Sequence, residues 1–304
     1  MSTVYGPVAS WRLGRSLGID PVSTRGKTCS FDCIYCQLGR TNHPLAQRRD
    51  FVEPQVLRSD LENATALEID HVTFSGVGEP TLAANLAGLL AVVREVLPGV
   101  PTAILTNSSL TPMPEVRRDL ARFDVIVAKL DAPNQKLFAQ INRPVVDRTL
   151  AEIVEGLARL QEESSSRLAL QMMFVELNRG AAEEMAGLAS LLQPDEVQLN
   201  TPLRPSPVRP LSRTQMKHIE AFFEGLKVIN VYDRDRPQVQ PLDTATTRRR
   251  RPERVSSDRG LSPREGQRGA RMRPRFGEKG SGLRRFHRAG RRMFWNSSHA
   301  ATKE

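Results

Sequence analysis

The sequence predicts an α/β protein folded as a partial (βα)6 TIM-like barrel, and three observations predict it. Short apolar runs rich in branched residues alternate with longer amphipathic stretches through the first 243 residues. Runs of that kind suit strands buried on both faces of a parallel sheet, and their alternation with helices favours right-handed crossovers. Polar and charged residues recur directly after the apolar runs, where a barrel gathers its functional groups. Six such units suggest an open, three-quarter barrel rather than a closed eight-stranded one; a doubly wound sheet is the structural alternative.

Taken in order, Leu17-Gly18-Ile19 is the first strand and leads into a loop of cysteines. His71-Val72-Thr73-Phe74 is the second and runs into Ser75-Gly76-Val77-Gly78-Glu79-Pro80. A helix follows, because Leu82, Leu86, Leu89, Leu90, Val93, Val96 and Leu97 share one face before Pro98-Gly99 stops it. Thr102 to Leu105 is the third strand, ending in Thr106-Asn107, and Val125 to Ala128 the fourth, ending in Lys129 and Asp131. Leu150, Ile153, Val154, Leu157 and Leu160 repeat the helical spacing before a fifth strand at Leu168 to Val175. Ala181 to Leu192 is a helix, Val197-Gln198-Leu199 the sixth strand, and Asn200-Thr201 its polar end. Phe222, Phe223 and Leu226 finish one more helix before a small strand at Val228 to Val231. Core packing explains the apolar stripes without invoking a partner surface.

A chain of 304 residues can form one large α/β domain or two ordinary ones. With 39% hydrophobic and 26% charged residues it reads as soluble and globular. No apolar run is long enough to cross a bilayer, so no membrane partner is expected. Residues 1–10 show neither a basic start nor an apolar core, so a cytoplasmic location is the default expectation. The net charge of +10 is not spread evenly. Residues 244–304 contain 18 Lys and Arg against 5 Asp and Glu, a net of +13, which leaves the body at −3. The reading is therefore a barrel domain at 1–243 and an Arg-rich, low-order tail at 244–304. Nucleic-acid binding by the body is excluded; the tail is either a solvated segment or a salt-sensitive RNA arm. The aperiodic, Arg-heavy text after Pro252 is also what a shifted reading frame would yield.

The main chemical signal is Lys27-Thr28-Cys29-Ser30-Phe31-Asp32-Cys33-Ile34-Tyr35-Cys36. Three cysteines within eight residues make a poor disulfide framework, whereas C-x3-C-x2-C lets one tight loop turn three soft thiolates to a point. Structural zinc takes four protein ligands, and His43 would have to supply the fourth. A four-iron cluster held by three cysteines instead keeps one iron open for another ligand.

At this point the sequence resembles the radical S-adenosylmethionine (SAM) enzymes, whose signature matches Cys29, Cys33 and Cys36 with Tyr35 before the last cysteine. Gly76-Val77-Gly78-Glu79-Pro80 resembles that superfamily's Gly-Gly-Glu motif, with Val77 between the glycines. Tyr5 to Val8, Arg12 to Asp20, Asn142-Arg143-Pro144 and Gln198 to Pro202 look like one subgroup, described as radical SAM or Fe–S oxidoreductase proteins and related to wyosine-forming tRNA enzymes. The resemblance implies a [4Fe-4S] cluster on Cys29, Cys33 and Cys36, with SAM on the open iron. It implies reductive cleavage of SAM to a 5′-deoxyadenosyl radical that takes hydrogen from a substrate, small molecule or RNA. Gly76, Gly78 and Glu79 would meet the SAM amino group, and Tyr35 would pack near the adenine. Lys129, Asp131 and Asn107 are candidates for the ribose or carboxylate, and Asn200 would border the adenine or the substrate. Arg143 is either an anion clamp or part of a turn. No side chain is assigned as catalytic. A one-electron donor such as a flavodoxin or ferredoxin is implied as partner, and the lack of further cysteines argues against a second cluster. The alternative is a non-catalytic metal or iron–sulfur module in electron transfer or RNA binding; the glycine–glutamate motif argues against it.

Overall fold

A computed structural model describes residues 2–252. Strands β1 (Val4–Ser10) and β2 (Gly14–Ile19) form an antiparallel hairpin. Two short strands, β3 (Thr28–Cys29) and β4 (His43–Pro44), then pair in parallel within the cysteine loop. After α1 (Pro54–Glu62) the chain alternates: β5 (His71–Phe74), α2 (Leu86–Val96), β6 (Thr102–Thr106), α3 (Pro114–Leu120), β7 (Val125–Lys129). It continues through α4 (Gln135–Ile141), α5 (Leu150–Glu163), β8 (Arg167–Met173), α6 (Ala182–Leu192) and β9 (Glu196–Asn200). Then come α7 (Arg213–Glu220), β10 (Val228–Asn230) and α8 (Thr244–Arg250).

The main sheet has the order β1-β2-β5-β6-β7-β8-β9-β10, leaving β1 and β10 as its edges. Every neighbouring pair from β2 to β10 is parallel. This is the expected partial barrel: six strand–helix units, then β10, with β1 added as an antiparallel edge.

Strand periodicity sorts the side chains into two layers. Ala103, Val125, Val127 and Ala169 cluster with Leu13 and Leu105. Their neighbours Ile104, Ile126, Leu168 and Leu170 join a larger core with helix residues such as Leu89, Val93, Leu157 and Leu160. Both strand faces are therefore dry, which is why the strands read as continuous apolar runs rather than as alternating ones. Helix starts follow local chemistry. Proline opens α1 and α3 at their first turns, while Thr149 with Glu152 and Ser212 with Gln215 form capping boxes for α5 and α7.

The structure differs from the sequence reading in three respects. The stripe beginning at Leu82 contains a break: Pro80–Leu82 is a 3-10 turn and the α-helix starts at Leu86. Strand β1, with Gly and Pro inside it, and the short helices α1, α3 and α4 were too brief or too polar to read. Residues 244–250, placed in the low-order tail, form α8, whose Thr247 hydroxyl accepts from the Gly6 amide at 3.0 Å. Arg250 is 1% exposed and its Nε donates to Asp20 Oδ2 at 2.7 Å. Counting charge over a 61-residue window hid a buried arginine at its start. The remaining tail expectations, including the RNA arm and the shifted frame, fall on residues 253–304, outside the described residues.

Candidate active site

The cysteine loop is anchored on both sides by backbone. Thr28 N donates to Val77 O at 3.2 Å and Glu79 N to Thr28 O at 3.1 Å, joining the loop to the Gly76–Pro80 segment. A Cβ on Gly78 would lie 1.7 Å from the Thr28 carbonyl oxygen, and one on Gly76 would lie 2.2 Å from the Asp20 carboxylate. The two glycines thus serve close approach, as expected, but the groups approached are the cysteine strand and Asp20. On the other side, Asp32 N donates to Asn142 O and Arg143 O, and Ile34 N to Ile141 O. Arg143 adopts a left-handed φ of 46° and its side chain is exposed, so Arg143 itself contributes through the backbone turn.

Cys29 is buried, while Cys33 and Cys36 are partly exposed. Burial pushes the Cys29 thiol up to about 12, with Lys27 acting in the opposite direction, and the Cys33 thiol up to about 11. Such thiols hold their protons until a metal takes their place. The surroundings suit that exchange. Lys27 is 6% exposed; burial pushes its ammonium down, but the facing Cys36, Cys29 and Cys33 sulfurs outweigh it and its pKa is raised. Asn107 Nδ2 lies 3.5 Å from Cys29 Sγ, and Asn142 Nδ2 lies 3.6 Å from Cys33 Sγ. A cation and two amide donors around three sulfurs match a negatively charged iron–sulfur group. Among the described residues, no three His, Cys, Asp or Glu side chains are grouped so as to share one metal ion. His43 sits in β4, which is exposed.

Glu79 is 2% exposed and occupied within the protein. It accepts from Thr81 Oγ1 at 2.8 Å, Thr106 Oγ1 at 2.7 Å and Asn107 N at 2.6 Å. Burial pushes its carboxyl up, and these donors work against that rise. Through Asn107 it is linked to Cys29. Asp131 is likewise a hub: it accepts from Tyr35 Oη, from Asn142 Nδ2 at 2.8 Å and from Met173 N at 2.9 Å, and pairs with Lys129 Nζ at 3.3 Å. Both its oxygens are engaged, so it orients Tyr35 and Lys129. Lys129 Nζ lies 4.8 Å from the Tyr35 ring centroid. Asn142 Oδ1 is buried with no partner, leaving an acceptor open beside Cys33.

A cavity of about 260 Å³ opens beside the loop, and Tyr35, Cys36, Lys129, Met173 and Asn200 line it. The structure therefore brings four of the expected residues, Tyr35, Cys36, Lys129 and Asn200, to one space. Glu79, Gly76, Gly78 and Asn107 support the cysteine strand behind it. The sequence reading missed Lys27, Asn142 and Asp20 as supporting groups. Lys27 stands two residues before Cys29, a signal that was present and unused. Asn142 lies over a hundred positions from Cys33; the Asn142-Arg143-Pro144 segment was noted as a resemblance, but nothing local ties its side chain to the cysteines.

Residues 24–189 match the family model described as the radical SAM superfamily. A UPF0026 protein of Synechocystis sp. is 41% identical over 207 residues, covering 68% of this chain and 77% of that protein. Among solved structures, a radical SAM methyltransferase from Sphaerobacter thermophilus superposes with a TM-score of 0.55 at 18% identity over 71% of this chain and 65% of the other. Streptococcus suis SuiB bound to S-adenosylmethionine superposes with a TM-score of 0.53 at 15% identity over 67% and 48%. The chain spans less than two thirds of either solved protein, and these two likenesses concern the fold. No helix among the described residues is long and apolar enough to cross a membrane.

Proposed function

The chain belongs to the radical SAM superfamily, whose members are enzymes, and from that premise we propose that Cys29, Cys33 and Cys36 hold three irons of a [4Fe-4S] cluster beside a SAM site. When bound, the cluster supplies one electron that splits SAM into methionine and a 5′-deoxyadenosyl radical, which removes a hydrogen atom from the substrate. The remaining work falls to the protein. Lys27 offsets the negative charge of the cluster, and Asn107 and Asn142 donate toward the sulfurs. The Gly76–Pro80 loop, fastened to Thr28 through Val77 O and Glu79 N, fixes the height of the cysteine strand and presents backbone groups to the SAM amino group. Tyr35 and Lys129, held by Asp131, form the wall against which the adenosyl part packs, with Asn200 opposite. An external one-electron donor of the flavodoxin or ferredoxin kind completes the cycle.

The observation that supports this most strongly is the junction of two motifs: the Gly78 backbone meets Thr28, next to Cys29, at a distance that admits no side chain. A passive metal staple has no need of that junction. The test is anaerobic reconstitution with iron and sulfide, then SAM and dithionite, with 5′-deoxyadenosine measured by mass spectrometry. Formation above a no-protein control supports the reading; a colourless protein that retains one zinc overturns it.

A further inference from the structure

The glycine loop is also held from a third side, by the end of helix α8. Asp20 directly follows β2 and is fully buried. Its Oδ2 accepts from Val77 N, within the Gly76–Pro80 loop, at 3.3 Å, and its Oδ1 accepts from Ser23 N at 2.9 Å. The same Oδ2 accepts from Arg250 Nε at 2.7 Å. The rest of that guanidinium is occupied as well. Nη2 donates to Ser2 O at 2.8 Å and to Ser23 Oγ at 3.1 Å, and Nη1 donates to Thr246 O at 3.4 Å. The next residue, Arg251, donates from Nη2 to Ser75 Oγ at 2.6 Å, and Ser75 Oγ shares a second hydrogen bond of 2.6 Å with Tyr5 Oη. Gln37, which follows Cys36, donates from Nε2 to the Arg250 carbonyl at 3.1 Å. Two consecutive residues at the end of α8 therefore reach the residue before Gly76, the carboxylate that holds the amide after it, and the residue after Cys36.

We propose that Arg250 is a positioning residue for SAM: through Asp20 it fixes the Val77 amide, and with it the glycine loop that meets the SAM amino group, while Arg251 fixes Ser75 beside that loop. This role rests on the radical SAM reading of the loop. Glycine lets backbone approach closely but has the most conformational freedom to lose, so a stretch containing Gly76 and Gly78 needs anchors outside itself. Thr28 supplies one anchor and Asp20 the other. The contact with Asp20 is direct, since a side chain at Gly76 would collide with its carboxylate. Asp20 can serve only while its buried charge is compensated, and among the described residues Arg250 is its ion-pair partner. An apolar contact of similar volume often holds two elements together as well as a buried ion pair does. It could not offer Val77 a directed acceptor. The arrangement also links helix docking to SAM binding. If docked α8 raises the affinity for SAM, bound SAM must strengthen the docking by the same factor.

The test uses the full chain, reconstituted anaerobically with iron and sulfide, with SAM as the ligand. Iron content and SAM affinity are measured on the same samples, the latter by equilibrium dialysis. In the paired variant Asp20→Asn/Arg250→Gln, which leaves no unpaired buried charge, iron content should match wild type while SAM affinity falls about tenfold or more. Arg250→Lys keeps the charge and should lose less. Arg248→Gln, at an exposed position on the same helix, should bind SAM as wild type does. The wild-type chain gives a readout that needs no variant to fold: hydrogen exchange followed by mass spectrometry should show the α8 amides exchanging more slowly once SAM is bound. A paired variant that loads iron and keeps wild-type SAM affinity overturns the positioning role and leaves the radical SAM reading standing. So does an α8 whose exchange SAM leaves unchanged. Loss of iron in Arg250→Lys as well as in the paired variant would make the pair a brace of the whole domain, and also overturns the role. A wild-type chain that loads four irons but does not bind SAM overturns the radical SAM reading itself, and the positioning role with it.

Discussion

The cysteine loop and the arginines that line the cavity beside it are placed on opposite plans. The cysteine loop comes from eight consecutive residues, braced by loops at the ends of β5, β6 and β7, and offers thiols to a positive metal. Arg12, Arg204, Arg236 and Arg251 line the same cavity and come from four segments spread between residues 12 and 251. The comparison teaches that a site assembled within one loop can be read from spacing, whereas a site assembled by convergence needs the fold.

The largest effect that would sharpen this contrast comes from the cysteine loop. Cys29→Ala, Cys33→Ala or Cys36→Ala should each abolish the cluster's visible absorption and reduce 5′-deoxyadenosine to background. Full visible absorption retained in any one of the three variants would contradict the three-cysteine assignment. Next in size is Arg250→Ala. It leaves Asp20 buried without its partner, and breaking such a pair costs about 3–5 kcal/mol, readable as a lower denaturant midpoint. A loss under about 1 kcal/mol would mean that α8 is not part of the domain. Gly78→Ala forces a methyl group onto Thr28 O. Overpacking of this kind costs about 1–3 kcal/mol, and iron occupancy should fall with it. An unchanged iron content would show that the loop does not set the cysteine strand.

The smallest effects concern electrons. Lys27→Gln removes a positive charge that faces all three sulfurs, so the reduced cluster becomes harder to form and its midpoint potential falls. Asn107→Ala removes one amide donor to Cys29 and should lower the potential less. Potentiometric titration followed by electron paramagnetic resonance checks both; a rise in either variant would contradict the charge argument.

How much of this was legible follows from the same contrast. The barrel was readable because strands with two dry faces give unbroken branched runs, as in Val125 to Ala128 and Leu168 to Val175. The cysteines and Gly76–Pro80 were readable because loop chemistry is local. Glu79 and Asp131 were found by position, but their hydrogen bonds assign them to bracing and orientation, which position cannot show. Arg251 illustrates the failure. It ends a run of four arginines, and average composition placed it in a solvated tail. The fold instead buries Arg250 against Asp20 and brings Arg251 to Ser75, beside the glycine loop. Arg12 was noted only as the start of the Arg12–Asp20 segment, and Arg204 had no sequence neighbour to mark it.

The central claim is that the three cysteines hold an open four-iron cluster whose free iron SAM can occupy. The most direct test is the iron and sulfide content of the anaerobically reconstituted chain, with the paramagnetic resonance spectrum of its reduced form recorded before and after SAM. The account predicts about four irons and four sulfides per chain and a spectrum that changes when SAM is added. A single bound metal ion, or a four-iron spectrum that SAM leaves unchanged, would contradict it.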